Sequence, residues 1–106
     1  VHLTDGAKSV SNARSILGKN FIIGAYCGSS KHYGMIAAEL GVDYVSFADA
    51  VSRDGSKQNN RDLFKWWHEF IETPVMVEST TYRKIPNEII EYCDFVLLED
   101  SSWTLN

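Results

Sequence analysis

The 106-residue sequence has little of three features that mark particular classes of protein. Its two cysteines, Cys27 and Cys93, lack a CxxC motif or a nearby histidine pair, which argues against a disulfide framework or zinc site and predicts reduced thiols. No apolar run approaches the roughly 20 residues of a membrane span. The ten basic residues are scattered, and a net charge of −4 argues against binding nucleic acid or an anionic membrane. We therefore expect a cytoplasmic protein.

The composition is that of a folded globular chain. Hydrophobic residues make up 44% of the sequence and charged residues 23%, and there is no low-complexity segment. We predict a single domain over residues 1–106. The sequence opens on VHL without a methionine, as though inside a strand, which predicts a processed or partial chain.

Short apolar segments alternate with segments of helical periodicity along the chain. The strand-like segments, rich in β-branched and aromatic residues, lie at 1–3, 21–25, 43–48, 74–78 and 94–99. The helical segments lie at 9–18, 31–41, 61–72 and 85–93. In the second helical segment, a buried stripe is predicted at Tyr33, Ile36, Ala37 and Leu40, and Gly41 is placed for a left-handed cap.

This alternation predicts an α/β fold with parallel βα repeats. Apolar strands that alternate with helices form parallel sheets from right-handed βαβ units. Five strands and four helices fit either a doubly wound sheet or part of a (β/α)₈ barrel, because a whole barrel typically needs about 250 residues.

Polar residues follow the predicted strands. In both folds the carboxyl ends of the strands carry the chemistry. The residues at those ends are Thr4, Asp5, 26–28, Asp49, 78–81 and 99–102. Each also has a structural interpretation, since Asp5 and Asp49 suit caps, and Ser101 and Ser102 suit a turn.

The paired tryptophans Trp66 and Trp67 allow two interpretations. They could stack on a base or sugar, but on a helix between two strands one ring is expected to pack on the sheet. The three histidines are separated from one another and from any CxxC spacing, so the sequence gives little support for a histidine metal site.

The order of the segments resembles the C-terminal half of the thiamine-phosphate synthases, including the related thiazole tautomerases. The matching segments are VHL, a helix ending in SILG, IIG, AAELGVDYVSF, LFKWWHEFIETPVMV, and DFVLL followed by SSW. The likeness covers nearly the whole chain and implies a TIM-barrel type of fold in which these residues form strands four to eight. Because five strands would leave two open edges, it further implies a missing N-terminal half-barrel or a homo-oligomer.

The resemblance also implies an Mg²⁺-dependent site for a small phosphorylated substrate. A metal-binding aspartate of the family falls on Ala7 by direct counting, so Asp5 becomes the metal ligand if the loop is shifted. Tyr26 and Cys27 lie where the family has a substrate-contacting serine. Lys57 lies close to the place of a diphosphate-binding lysine. No catalytic residue is assigned.

The family's phosphate cradle is the part that matches least. Where the family has Gly-Gly after the seventh strand, this chain has Glu78, Ser79 and Thr80. Ser79, Thr80, Ser101 and Ser102 are the candidate phosphate donors. Glu78 and two carboxylates at the eighth strand end are expected to oppose a phosphate, at a cost of about 1 to 4 kcal/mol for a charge pair at 4 Å.

The sequence therefore predicts a thiamine-phosphate-synthase-like protein that joins a pyrimidine diphosphate to thiazole phosphate, divergent and with impaired activity. The alternative is a non-catalytic barrel relative that binds another small molecule or serves as a structural or regulatory module. Fold likeness alone does not decide between them.

Overall fold

The computed structural model describes residues 1–53, 56–78 and 85–97. In chain order, the elements are β1 (His2–Leu3), α1 (Val10–Leu17), β2 (Gly24–Tyr26), α2 (Lys31–Glu39), β3 (Tyr44–Ala48), β4 (Ala50–Arg53), β5 (Ser56–Asn59), α3 (Arg61–Phe70), β6 (Val75–Glu78), α4 (Asn87–Ile90) and β7 (Phe95–Leu97). Five strands form a parallel sheet in the order β1-β2-β3-β6-β7. The predicted α/β class and the parallel, chain-ordered sheet are confirmed.

An antiparallel hairpin follows β3 and was not predicted. Strands β4 and β5 pair with each other, with Arg53 opposite Ser56, and are separate from the main sheet. The base of the hairpin is fixed to the sheet by Asn60, whose side-chain amide donates to the carbonyl of Ala48 at 2.8 Å and to the hydroxyl of Ser29 at 2.9 Å. The hairpin therefore stands at the carboxyl end of β3.

The helices share one hydrophobic core with one face of the sheet. Side chains alternate across a strand, so Phe47 and Val77 point to this face while Ser46 points to the other. The Phe47 ring meets Phe64 and Trp67 of α3 edge to face, with centroids 5.8 and 5.3 Å apart. All three aromatic rings are fully buried, which confirms the prediction that one tryptophan packs on the sheet.

The buried face of α2 differs from the predicted stripe. Ala37 is fully buried as predicted, but Tyr33 and Leu40 are 54% and 42% exposed, and the helix also packs through Gly34. A Cβ atom on Gly34 would lie 2.7 Å from the ring of Phe47 and 2.9 Å from that of Trp67. Close approach of the helix to these rings, rather than apolar periodicity alone, sets the orientation of α2.

Strand β2 begins at Gly24, three residues later than predicted. The preceding backbone is bound by side chains as well as by neighbouring backbone. Arg14 donates to the carbonyl of Phe21 at 2.8 Å, and the carbonyl of Ile23 accepts the backbone N–H of Asp43 at 2.7 Å. Asp43 accepts the N–H of Ile23 at 2.7 Å and pairs with Arg14 at 3.2 Å. That backbone hydrogen bond lowers the pKa of Asp43, with a smaller contribution from Arg14.

The helices also end earlier than their predicted segments. Helix α2 stops before Gly41, whose φ of 87° confirms the predicted left-handed cap. Helix α4 covers only Asn87–Ile90 of the predicted 85–93, and Ile85 and Ile89 are buried. Within the three described ranges, no helix is long and apolar enough to span a membrane.

Candidate functional site

A cleft of about 510 Å³ opens at the carboxyl ends of β1 and β2. Its lining includes Asp5 and Lys8 from the loop after β1, Tyr26 and Cys27 from the end of β2, and Tyr33 from the first turn of α2. The structure thus brings together three residues that the sequence proposed separately, namely Asp5, Tyr26 and Cys27. Parallel strands place their carboxyl ends at one sheet edge, and ligand sites of α/β folds form there.

The loop that carries Asp5 is held by two hydrogen bonds. Gly6 adopts a left-handed φ of 68°, and its N–H donates to the carbonyl of Tyr26 at 3.1 Å. The exposed Asp5 carboxylate accepts the hydroxyl of Ser9 at 2.5 Å. Ser9 precedes α1 and makes no side-chain cap of its own. Asp5 therefore does not occupy the cap position of α1, and its carboxylate binds the side chain of the residue that does.

Cys27 is a structural residue of the cleft wall. It is 5% exposed, and its thiol lies 3.6 Å from the carbonyl of Ala25. Burial raises the pKa of the Cys27 thiol to about 11, so the reactive thiolate is scarce at neutral pH. Its position supports contact with a ligand but not nucleophilic chemistry.

Lys8 was missed by the sequence analysis. It is exposed at the cleft, three residues after Asp5, and supplies a positive charge beside that carboxylate. No motif marks it, because a single lysine in a loop is normally a solvated surface residue. Only the folded loop shows that it lines the same cleft as Tyr26.

A second set of polar residues lies on the sheet face opposite the helices. We call His2, Tyr44, Ser46 and Glu78 the interior-face network. His2 Nδ1 lies 2.8 Å from the Tyr44 hydroxyl, and His2 Nε2 lies 3.2 Å from Glu78 Oε2. The fully buried Ser46 donates its hydroxyl to the same Glu78 oxygen at 2.5 Å. Burial raises the pKa of Tyr44, and the charge of Glu78 raises it further.

The contact between His2 and Glu78 shows that the sheet is strongly curved. Three strand spacings separate β1 from β6 in the sheet order, which in a flat sheet would place them roughly 14 Å apart. A 3.2 Å contact between their side chains requires the sheet to curl around this face, as the wall of a barrel does. The interior-face network therefore lies on the concave side.

Comparison with known proteins agrees with this architecture. Residues 1–81 match the family model for thiamine monophosphate synthase. The chain is 32% identical over 110 aligned residues to a thiamine-phosphate synthase of Erythrobacter litoralis and 30% identical over 108 to one of Rhodospirillum centenum. These alignments cover 98% and 97% of this chain and 52% of each relative.

The chain belongs to the thiamine monophosphate synthase family. A thiamine-phosphate synthase of Hyphomonas neptunium is similar as well, at 29% identity over 97% of this chain and 48% of that protein. The chain thus spans about half the length of the curated relatives it matches. No solved structure matches it. The parallel, curved βα sheet is that of a TIM-barrel-type segment, which confirms the fold class expected from the resemblance.

Glu78 has hydrogen-bond partners that the sequence did not predict. It was expected to oppose a phosphate at the strand end where the family has its cradle. In the structure it ends β6 on the concave face, where Ser46 and His2 donate to its carboxylate. Its charge therefore forms part of the interior-face network, and its effect on a phosphate stays a prediction.

The other candidate positions of a synthase site are only partly visible. Lys57 lies on β5 opposite Ser52, on the hairpin rather than in a loop. The candidate phosphate donors lie outside the described residues, namely Ser79, Thr80, Ser101 and Ser102. Asp49 is 7% exposed, and its backbone joins the N–H of Asn60 to the carbonyl of Glu78 at the strand ends.

Proposed function

We propose that this protein is a thiamine-phosphate-synthase-like enzyme that joins a pyrimidine diphosphate to thiazole phosphate and releases diphosphate. The observation that carries the proposal is the meeting of Asp5, Lys8 and Tyr26 in one cleft at the carboxyl strand ends of a family barrel. A diphosphate needs positive charge and hydrogen-bond donors, and this cleft offers both. A cytoplasmic location is part of the proposal, because this is soluble-substrate chemistry.

The cleft is compatible with Mg²⁺ as the proposed cofactor. Mg²⁺ prefers oxygen ligands and is commonly held by one or two carboxylates together with substrate phosphates. Asp5 offers one exposed carboxylate, and the described residues hold no group of three acidic, histidine or cysteine side chains that could bind a metal alone. Asp5 would thus supply one ligand, with substrate oxygens completing the coordination. Bound there, the ion would neutralise charge that develops on the leaving diphosphate.

The residues of the chain itself have separable roles in this proposal. Lys8 would pair with the outer phosphate, where its flexible ammonium acts as a point charge. Tyr26 would contact the substrate from the end of β2. Cys27 would form part of the cleft wall and take no part in the chemistry, since burial raises the pKa of its thiol.

The test is synthesis of thiamine phosphate by the natural full-length protein, with Mg²⁺ and both phosphorylated substrates. Asp5→Asn should lower turnover at least about tenfold, because a lost metal ligand weakens binding by at least as much as a lost supporting residue. Asp62→Asn on α3 is the matched control, since Asp62 is 99% exposed and lies outside the cleft. Lys8→Met should raise the KM for the pyrimidine diphosphate, and Lys19→Met should not.

A non-catalytic role is the alternative, and one observation favours it. The described part of the chain supplies one cleft carboxylate, the smaller number of the one or two that commonly hold Mg²⁺. If the folded full-length protein forms no thiamine phosphate but still binds one of the two substrates, that alternative replaces the enzyme proposal. Equal turnover by Asp5→Asn and the wild type would refute the role of Asp5.

A further inference from the structure

The interior-face network leaves one carboxylate oxygen of Glu78 available. Glu78 Oε2 accepts both the hydroxyl of Ser46 and the N–H of His2. Among the described residues, no hydrogen bond reaches Oε1. The Glu78 side chain keeps 22% of its surface exposed and that of His2 keeps 26%. An ionised carboxylate oxygen can accept two hydrogen bonds, so Oε1 is an open acceptor on the concave face.

The geometry around Glu78 places two donors at the other oxygen. A carboxylate oxygen accepts, so the hydroxyl of Ser46 and the N–H of His2 Nε2 both donate to Glu78 Oε2. A 2.8 Å hydrogen bond joins His2 Nδ1 to the Tyr44 hydroxyl, and its direction follows the histidine tautomer. A carboxylate at this place attracts an N–H donor and repels a phosphate.

Two flat rings belong to the same network. The rings of His2 and Tyr44 lie nearly parallel, with centroids 5.8 Å apart and planes at 14°. Gly24 lies directly beneath Tyr44, since a Cβ atom there would come within 1.9 Å of the ring. The phenol is thus pressed against bare backbone and held flat. Stacked, immobilised rings beside a hydrogen-bond acceptor are suited to a planar heteroaromatic ligand.

We propose that Glu78 is the recognition group for an N–H-bearing heteroaromatic ring, which it binds through Oε1. We assign the pyrimidine half of the proposed substrate to this acceptor, with an amino group on the ring as the N–H donor, and this assignment rests on the proposed function. Glu78 lies at the end of β6, opposite Ala48 and Leu97, at the same sheet edge as the cleft of Asp5 and Lys8. At this sheet edge, the interior-face network would bind the ring of the substrate, and the cleft of Asp5 and Lys8 would bind its diphosphate.

The test uses calorimetric titration of the natural full-length protein with 4-amino-2-methylpyrimidine. The matched ligand is 2,4-dimethylpyrimidine, which replaces the amine by a methyl group and donates no hydrogen bond. The wild type should bind the amine at least about tenfold more tightly, and Glu78→Gln should lose at least about tenfold for the amine but little for the methyl compound. Tenfold corresponds to about 1.4 kcal/mol. Asp62→Asn serves as the control for loss of one negative charge.

The outcomes separate this inference from the proposed function. Equal binding of the two pyrimidines by the wild type, or unchanged amine binding by Glu78→Gln, overturns the ring site even if the protein makes thiamine phosphate. Conversely, amine binding that depends on Glu78 supports the ring site even if no thiamine phosphate forms. Should Glu78→Gln fail to fold, an experimental structure of the wild type with the amine decides. The amine nitrogen should lie within about 3.2 Å of Glu78 Oε1, and a ring bound elsewhere refutes the proposal.

Discussion

A methyl group at position 24 should displace the ring of Tyr44. The Cβ of an alanine there would lie 1.9 Å from Tyr44 Cζ and 2.2 Å from Cε2, distances at which the ring must leave. Gly24 is not among the glycines with a positive φ, so its backbone accepts alanine without strain. The obstacle is the ring alone.

The expected loss of stability follows from three contributions. Forcing extra volume into a packed site costs about 1 to 3 kcal/mol. Breaking the 2.8 Å hydrogen bond from Tyr44 to His2 costs about 0.5 to 1.5 kcal/mol. Replacing glycine by alanine at a compatible site returns about 0.4 to 1 kcal/mol through the unfolded state. We therefore expect Gly24→Ala to lower the free energy of unfolding by about 2 kcal/mol.

A double-mutant cycle measured by urea unfolding gives the test. In a Tyr44→Ala background, the ring is gone, so Gly24→Ala should be neutral or slightly stabilising. The coupling free energy between the two positions should then be about 2 kcal/mol, well above the scatter for independent sites. The same cost of Gly24→Ala in both backgrounds would refute the reasoning, because the ring would not be the cause.

Three further predictions concern the core, the pH dependence and the thiols. Trp67→Phe should lower the free energy of urea unfolding by about 2 kcal/mol, because the Trp67 ring is fully buried. Trp66 is half-buried, so Trp66→Phe should lower it clearly less, and equal losses would contradict this. The pKa of Asp43 is lowered in the folded protein, so its carboxylate stabilises the fold at pH values above the ordinary pKa of 3.8, and this stability is lost as pH falls through the folded pKa. Asp43→Asn should therefore flatten the acid side of a plot of unfolding free energy against pH. Parallel plots for the variant and the wild type would count against this. Burial raises the pKa of Cys27 to about 11 and that of Cys93 to about 12, so thiol reagents at pH 8 should label them only after unfolding; rapid native labelling would disprove it.

Much of the fold could be read from the sequence because its causes are local. Runs of β-branched residues gave the strands of the main sheet, and helical periodicity gave the four helices. Strand–helix alternation then required parallel pairing. The hairpin had a signal that was overlooked, since Asp54-Gly55 is the dipeptide typical of two-residue hairpin turns. The buried face of α2 had no such sequence signal, because the packing role of Gly34 depends on the two aromatic rings that lie against it in the folded protein.

The functional site divides in the same way. The carboxyl ends of strands can be located from strand boundaries, so the sequence alone places Asp5, Tyr26 and Cys27 at one edge, where the structure has them. The sequence by itself therefore determined the class of fold, the order of the strands and the sheet edge at which these candidate residues meet. The tertiary structure alone decided the interior-face network. Its members His2 and Glu78 are 76 positions apart and meet across three strand spacings. This contact depends on the register and curvature of the whole sheet. Both are set by all the strand pairs together, so no local pattern of residues predicts them.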